Sequence, residues 1–410
     1  MASLNLTAAD NVLKNFYLGP IREQLNNSSI LLARIDRDES TQDAYGKNFT
    51  VPLHTSRNDS AGIGRADDGA AGTAGVQGYS TITVPNKYLY GSIRVTGPTI
   101  KATKSKAGAF ISAIESEIKG VTRDFKRSMN RQLHSDGVDG LAYWTGADNS
   151  SGTTVDDGRG NPFVHLQSGS TYDLIDASDN STKLGDSIVV TVGAKAATNY
   201  AITWTGTVSG SADGDYLVPE NSLGYQMMGL AGIINNADPT LLGSGLHGKA
   251  AATNAYWNAQ VFKNSGTNRS LTLELMQDPL SEIAVNSDYS EEDVKFMLSN
   301  VWVRDKYVAL LISQKRFVNT MKLDGGFTGV EFNGIPLVVD TQCRRNRIYY
   351  VCPETLKLFR TSDFDWMDDD GSVLTRDTNG KDAYEATMFH YGDLACLCRN
   401  ANGLLDDITD

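Results

Sequence analysis

Residues 111–133 read ISAIESEIKGVTRDFKRSMNRQL, and the fold is read outward from this stretch. Ile111, Ile114, Ile118, Val121, Phe125 and Met129 recur at three- and four-residue steps. That spacing puts one apolar stripe along an amphipathic α-helix through Gln132. Lys119, Arg123, Lys126, Arg127 and Arg131 fall on the opposite face, each residue advancing about 100°. Between 119 and 131 only Asp124 is acidic. The result is a local basic stripe, a candidate surface for packaged or bound polyanion. A solvated face, or one paired with a neighbour's aspartates, is the competing reading.

Immediately before the helix, residues 48–96 read as a long hairpin. Phe49, Val51 and Leu53 alternate on the way out, and Ile82, Val84, Tyr88 and Tyr90 on the way back. The tip, Arg57 to Gly78, holds six glycines. After Gly91 the alternation passes to Ile93 and Val95, which predicts a glycine bulge. Pro52 and Pro85 suit edge strands, and in a two-stranded ribbon every strand is an edge. A return strand from Tyr79 to Val95 would extend roughly 55 Å. Such a hairpin is marginal alone in water, so the ribbon calls for contacts outside its own domain.

The first 47 residues read as an arm. Thr7 caps a short helix that Gly19-Pro20 stops. Ile21, Leu25, Leu31, Leu32 and Ile35 then follow without a sustained period and need a surface to lie on, that of another subunit or the far side of their own.

Beyond the helix, residues 141–222 are dominated by Gly, Ser, Thr and Asp, with short runs such as SIVVTV (187–192) and YAITWTGTV (200–208). They read as a small β-rich inserted domain. From 223 onward the pattern is mixed. Helices are expected around Leu271–Val285 and Val303–Ser313, and strands at 335–339, 347–352 and within 383–398.

The whole chain has 410 residues, two or three domains' worth. Its net charge of -12 excludes a surface that is basic overall, so any nucleic-acid contact must be local. Asp outnumbers Glu 37 to 12, and Gly (39) far exceeds Pro (10), a balance that favours turns and β-structure over helix interiors. The start has neither a basic n-region nor an apolar h-region. The longest aliphatic runs, such as VALLI at 308–312, fall far short of a membrane span. A cytoplasmic protein without membrane contact, released by lysis if at all, is therefore expected. Cys343, Cys352, Cys396 and Cys398 contain no Cys-x-x-Cys pair and read as reduced core residues, not a zinc site.

Two motifs invite chemistry. Gly243-Ser-Gly-Leu-His-Gly248-Lys249-Ala250 approaches a phosphate-binding loop, but Ala250 lacks the hydroxyl that would hold magnesium, and NNADPTLL before it is no buried strand. The run DFDWMDDDGS (363–372) offers Asp368, Asp370, Gly371 and Asp377 at calcium-loop offsets, but Trp366 occupies the first ligand position and the twelfth is Asp. A turn between strands is the simpler reading. The five histidines are scattered, with no H-E-x-x-H and no G-x-S-x-G elbow. No nucleophile, base and oxyanion hole assemble, so neither an enzyme nor a cofactor is expected.

The ordered blocks LNNSSILLARI (25–35), KNFTVPLHTSRN (47–58), TVPNKYLYGSIRVTGPTIKA (83–102), EIKGVTRDFKRSMNRQL (117–133), RFVNTMKLDGGF (316–327), LKLFRTSDFDWMDDDGSVL (356–374) and KDAYEATMFHYGDLACLCRN (381–400) resemble one branch of the major capsid proteins of tailed double-stranded DNA phages. The resemblance covers the whole chain except about 141–222. It implies an α+β fold of the Hong Kong 97 type: an N-terminal arm (1–47), an extended loop (48–96) over a neighbouring subunit, and a peripheral domain (97–140, 223–287 and 362–410) with a spine helix. An axial domain (288–361) would surround the pentamer and hexamer axes, and the β-rich insertion (141–222) would be displayed outward. Implied too are an icosahedral head, separate scaffolding and portal proteins, decoration proteins, and packaged DNA touched weakly and non-specifically. The virion would be the final location, after assembly in the host bacterial cytoplasm. The intersubunit contacts expected are Leu31, Leu32 and Ile35 on the arm and Val51, Leu53, Tyr88 and Tyr90 on the ribbon. Some relatives crosslink Lys to Asn from this loop, but no lysine lies between Arg57 and Pro85. The alternatives are a nucleotide-dependent DNA-packaging enzyme using Gly243 to Lys249, and a β-rich surface adhesin built on the insertion.

Overall fold

A computed structural model describes residues 31, 34–35, 48–61, 74–98, 107–138, 140–145, 152–159, 165–196, 199–239, 241, 245–313, 320–322, 328–368, 373–376 and 382–409. Strands β1 (Asn48–Ser56) and β2 (Gly78–Pro85) pair antiparallel as a two-stranded sheet, in register from Asn48↔Pro85 to His54↔Tyr79. Proline lacks the N–H that would extend this ladder. After Pro85 the chain leaves the ribbon. The expected return strand to Val95 is thus divided: β3 (Lys87–Thr96) pairs along its length with β18 (Ala383–Cys396).

Nor does the glycine bulge exist, for the β3–β18 register runs unbroken through Gly91↔Met388. Leu89, Gly91, Ile93 and Val95 all face inward, while Tyr88 and Tyr90 belong to the other face. Gly91 is required by packing: a Cβ there would stand 3.0 Å from the Phe125 ring and 3.3 Å from Val121. Both residues belong to the helix α1 (Ala107–Leu133), which lies on this sheet. On its other side β18 is flanked by β16 (Leu356–Trp366) and by β17 (Thr375–Arg376).

The second sheet has seven strands, in the order β10 (Gln260–Phe262), β19 (Gly403–Leu405), β15 (Ile348–Val351), β11 (Phe296–Ser299), β14 (Ile335–Val339), β13 (Thr328–Phe332), β12 (Thr320–Lys322). Period-two alternation divides its side chains between two cores. Met297, Leu337, Ile348, Tyr350 and Leu405 pack with the helices α3 (Leu273–Asn286) and α4 (Val301–Ser313). Phe296, Leu298, Val338, Tyr349 and Val351 join the main core with α1 and the first sheet. The short helix α2 (Leu230–Ile233) contributes Leu230 and Ile233 to that same core.

Between α1 and α2 the chain builds a closed barrel, β4 (Ala142–Trp144), β5 (Gly152–Asp156), β8 (Asn199–Thr205), β7 (Lys183–Ala196), β6 (Thr171–Ile175), β9 (Tyr216–Pro219). Its interior is filled by its own side chains, with Trp144 and Trp204 5.5 Å apart. The barrel is pinned to the loop before β15: Arg345 meets Asp156 at 3.0 Å, Arg159 Nε donates to the Gln342 carbonyl at 2.8 Å, and the Arg344 guanidinium lies 4.7 Å over the Tyr143 ring.

The segment leaving the barrel is held by buried polar groups. Met227 N–H donates to Gln132 Oε1 at 2.9 Å and Met228 N–H to Asp393 Oδ1 at 2.8 Å. Arg399, fully buried, donates to the Ile233, Gly232 and Ala237 carbonyls.

A ribbon and an aromatic sheet face form the candidate intersubunit surface

The base of the ribbon is part of its own subunit's core. Ile82 and Val84 are completely buried, and Phe49 stacks on Phe359 at 5.4 Å. Val51 and Leu53 are half-buried on the same inward face. Cross-strand register therefore turns Thr50, Pro52, His54, Tyr79 and Thr81 outward. This corrects the expectation for Val51 and Leu53, whose alternation marks the face toward their own body. The outward side is the polar one, with Tyr79 73% exposed and set edge-on to His54 at 5.4 Å.

Residues 245–249 strap the ribbon to the body. Thr83 N–H donates to the His247 carbonyl at 3.0 Å, and the Lys249 ammonium donates to the Ser80 hydroxyl. His247 Nε2 in turn accepts the Cys396 N–H at 3.3 Å, and burial with the nearby Arg399 holds the ring's pKa down at about 3. The imidazole is therefore neutral, as an acceptor must be. Gly245 has φ +79°, and a Cβ there would collide with the Lys249 carbonyl. No helix opens after Lys249; a turn leads to the 3-10 helix Ala255–Trp257. The phosphate-loop reading is thereby overturned, because the anion-binding helix N-terminus it needs does not exist. Gly243 lies outside the described residues.

The expected Tyr88 and Tyr90 stand 47% and 55% exposed on the outer face of β3. They meet Tyr391 edge-on at 5.1 and 5.9 Å, and Tyr391 lies 4.8 Å from Phe389. The patch continues through Ser92 and Thr387, 3.0 Å apart, to the ion pair Arg94–Glu385 at 3.3 Å. Sequence reasoning missed Phe389 and Tyr391, although their two-residue spacing in a strand was a usable signal. The arm residues are corrected: Leu31 and Ile35 are buried in their own subunit's main core, where Arg34 lies 5.3 Å over Phe296. Leu32 lies outside the described residues.

Of the basic stripe, Lys119, Arg123 and Arg127 are exposed and Lys126 is half-buried, its pKa lowered by that burial. Arg131 leaves the stripe. It is 2% exposed and donates to Gln226 at 3.2 Å, because the last turn of α1 sinks beneath the segment leaving the barrel. At the acidic turn, Asp370, Gly371 and Asp377 lie outside the described residues. Among the described residues no three of His, Cys, Asp and Glu gather as a metal site would need, and no helix is long and apolar enough to cross a membrane. The four cysteines are free, and burial pushes the Cys343 and Cys396 thiols up to about 12.

No protein-family model matches the chain, and no curated protein does. Among solved structures, the chain of the Cyanophage A-1(L) capsid asymmetric unit superposes with TM-score 0.56 at 12% identity, covering 92% of this chain and 91% of that one. Mycobacterium phage Bobi matches with TM-score 0.44 at 8% identity over 99% of both chains. The capsid of Myoviridae phage XM1 gives 0.43 at 8% identity over 93% and 92%. The chain has the mixed α/β fold of the cyanophage capsid subunit, over nearly its full length.

Proposed function

We propose that this chain is the major capsid protein of a tailed double-stranded DNA phage, a Hong Kong 97-type subunit whose work is association, without catalysis. The observation that carries the reading is the ribbon. Two strands that, among the described residues, pair only with each other are anchored at their base and turn their outer face away from the body. An isolated hairpin of this kind gains stability by lying on a neighbour. The fold shared with a phage capsid chain supports the same reading.

In this reading residues 1–47 are the arm and 48–96 the extended loop, and the sheet of β3, β16, β17 and β18 with the spine helix α1 is the peripheral domain. The seven-stranded sheet with α3 and α4 is the axial domain around pentamer and hexamer axes. The expected 288–361 is thus extended by β10, α3 and β19, which the expectation had given to the peripheral domain. The barrel within 141–222 faces outward. Tyr88 and Tyr90, joined by Phe389 and Tyr391, contact neighbours. Lys119, Arg123, Lys126 and Arg127 face the DNA, which the head encloses without tight binding. Scaffolding, portal and decoration proteins are the further partners, and the virion, assembled in the host cytoplasm, is the destination. Electron microscopy of the purified protein tests this reading: closed shells or capsomers support it, and soluble monomers under every assembly condition overturn it.

A further inference from the structure

An open cleft of about 740 Å³ separates the ribbon from the body, roofed by Leu53 to Arg57 and floored by Ala255 to Gln260. Its ionisable lining is Arg57 and Lys249 against Asp288, with the Tyr256 phenol and the Cys398 thiol beside them. At two arginine and lysine charges to one carboxylate, it is a positive spot on a chain of net charge -12.

We propose that this cleft seats a carboxylate-bearing segment of a second copy of this chain. The assignment rests on the shell reading above, which supplies the second copy, and names where an acidic neighbour is gripped. Charge complementarity favours it, since every other copy is itself acidic. The mixture of groups favours a peptide over a nucleic acid. A phosphate backbone meets Arg57 and Lys249 but carries no donor for Asp288. A peptide brings a carboxylate for the first two and backbone N–H groups for the third.

The test uses full-length protein with and without nuclease treatment, an equal mixture of ¹⁴N- and ¹⁵N-labelled copies, and the exposed-site variant Arg57→Glu. The expected result is a loss of about tenfold in assembled material for Arg57→Glu, with a flatter salt dependence. Carbodiimide should couple Lys249 of wild-type assemblies to an aspartate or glutamate of the other isotope. Assembly of Arg57→Glu within about twofold of wild type overturns the assignment, as do Lys249 links confined to one isotope. Loss of DNA retention alone, with assembly intact, overturns it in favour of a nucleic-acid surface. If wild type fails to assemble, the shell reading itself fails; if wild type assembles and the variant matches it, only the cleft assignment does.

Discussion

Asp393→Asn should remove a distinct pH dependence from the stability of the subunit. Asp393, on β18 and 1% exposed, faces the segment leaving the barrel, and its Oδ1 accepts N–H groups from Met228 at 2.8 Å and Leu394 at 2.9 Å. Burial pushes its pKa up from 3.8 to about 7, with Lys87 and the two N–H donors pulling back only partly. About three units at 1.36 kcal/mol each come to roughly 4 kcal/mol. The folded chain keeps a proton that the unfolded chain has already released, so the native state is favoured at low pH. The contribution is fully present below about pH 4, declines as pH rises, and is gone above about pH 7. Urea unfolding of wild type and Asp393→Asn at pH 5, 6, 7 and 8 reads it directly. The carboxamide keeps a carbonyl for both donors and carries no charge. Wild-type stability minus variant stability should fall by about 3 kcal/mol between pH 5 and 8. A difference that is constant across this range, or that rises with pH, refutes the reasoning.

Deleting residues 60–76 should leave the far-UV spectrum and unfolding midpoint of the subunit nearly unchanged while impairing shell formation; normal shell yield would contradict the ribbon's role. Tyr88→Ala with Tyr90→Ala should cost the isolated subunit only about 1–2 kcal/mol of lost aromatic pairing, yet sharply lower the sedimenting assembled fraction. The basic helix face separates into two effects. Arg131→Ala leaves Gln226 buried without its donor and should lower stability by about 1–3 kcal/mol, measured by urea denaturation. Lys119→Ala with Arg123→Ala and Arg127→Ala should leave stability alone and weaken DNA retention at low salt, and a destabilised triple variant would speak against an exposed stripe.

Helix α1 was readable from its residues because Ile118, Phe125 and Met129 repeat at helical spacing and are buried in the structure. The strands β1 and β2 were equally legible, since Phe49, Ile82 and Val84 alternate and are buried. What alternation alone cannot tell is which body a face meets. Val51 and Leu53 were read toward a neighbour, but their own sheet claims them; Leu31 and Ile35 erred likewise. The division of the return strand at Pro85 depends on pairing with residues nearly 300 positions away, and the role of Gly91 on packing against Val121 and Phe125 of α1, both beyond the reach of a local pattern. Arg131 misled for a similar reason: helical periodicity gives its angle around α1 but not that the final turn is covered by Gln226. The glycines around Lys249 did mark a special loop. Their tight turn carries the ribbon's strap and not a phosphate.

Cryo-electron microscopy of the purified full-length protein, expressed alone and with its head-assembly partners, tests the central claim most directly. The account predicts closed shells or rings of five and six subunits, each ribbon's outer face of His54 and Tyr79 lying on the adjacent subunit. Monodisperse monomers in every condition, or shells whose ribbons touch only their own subunit, would contradict it.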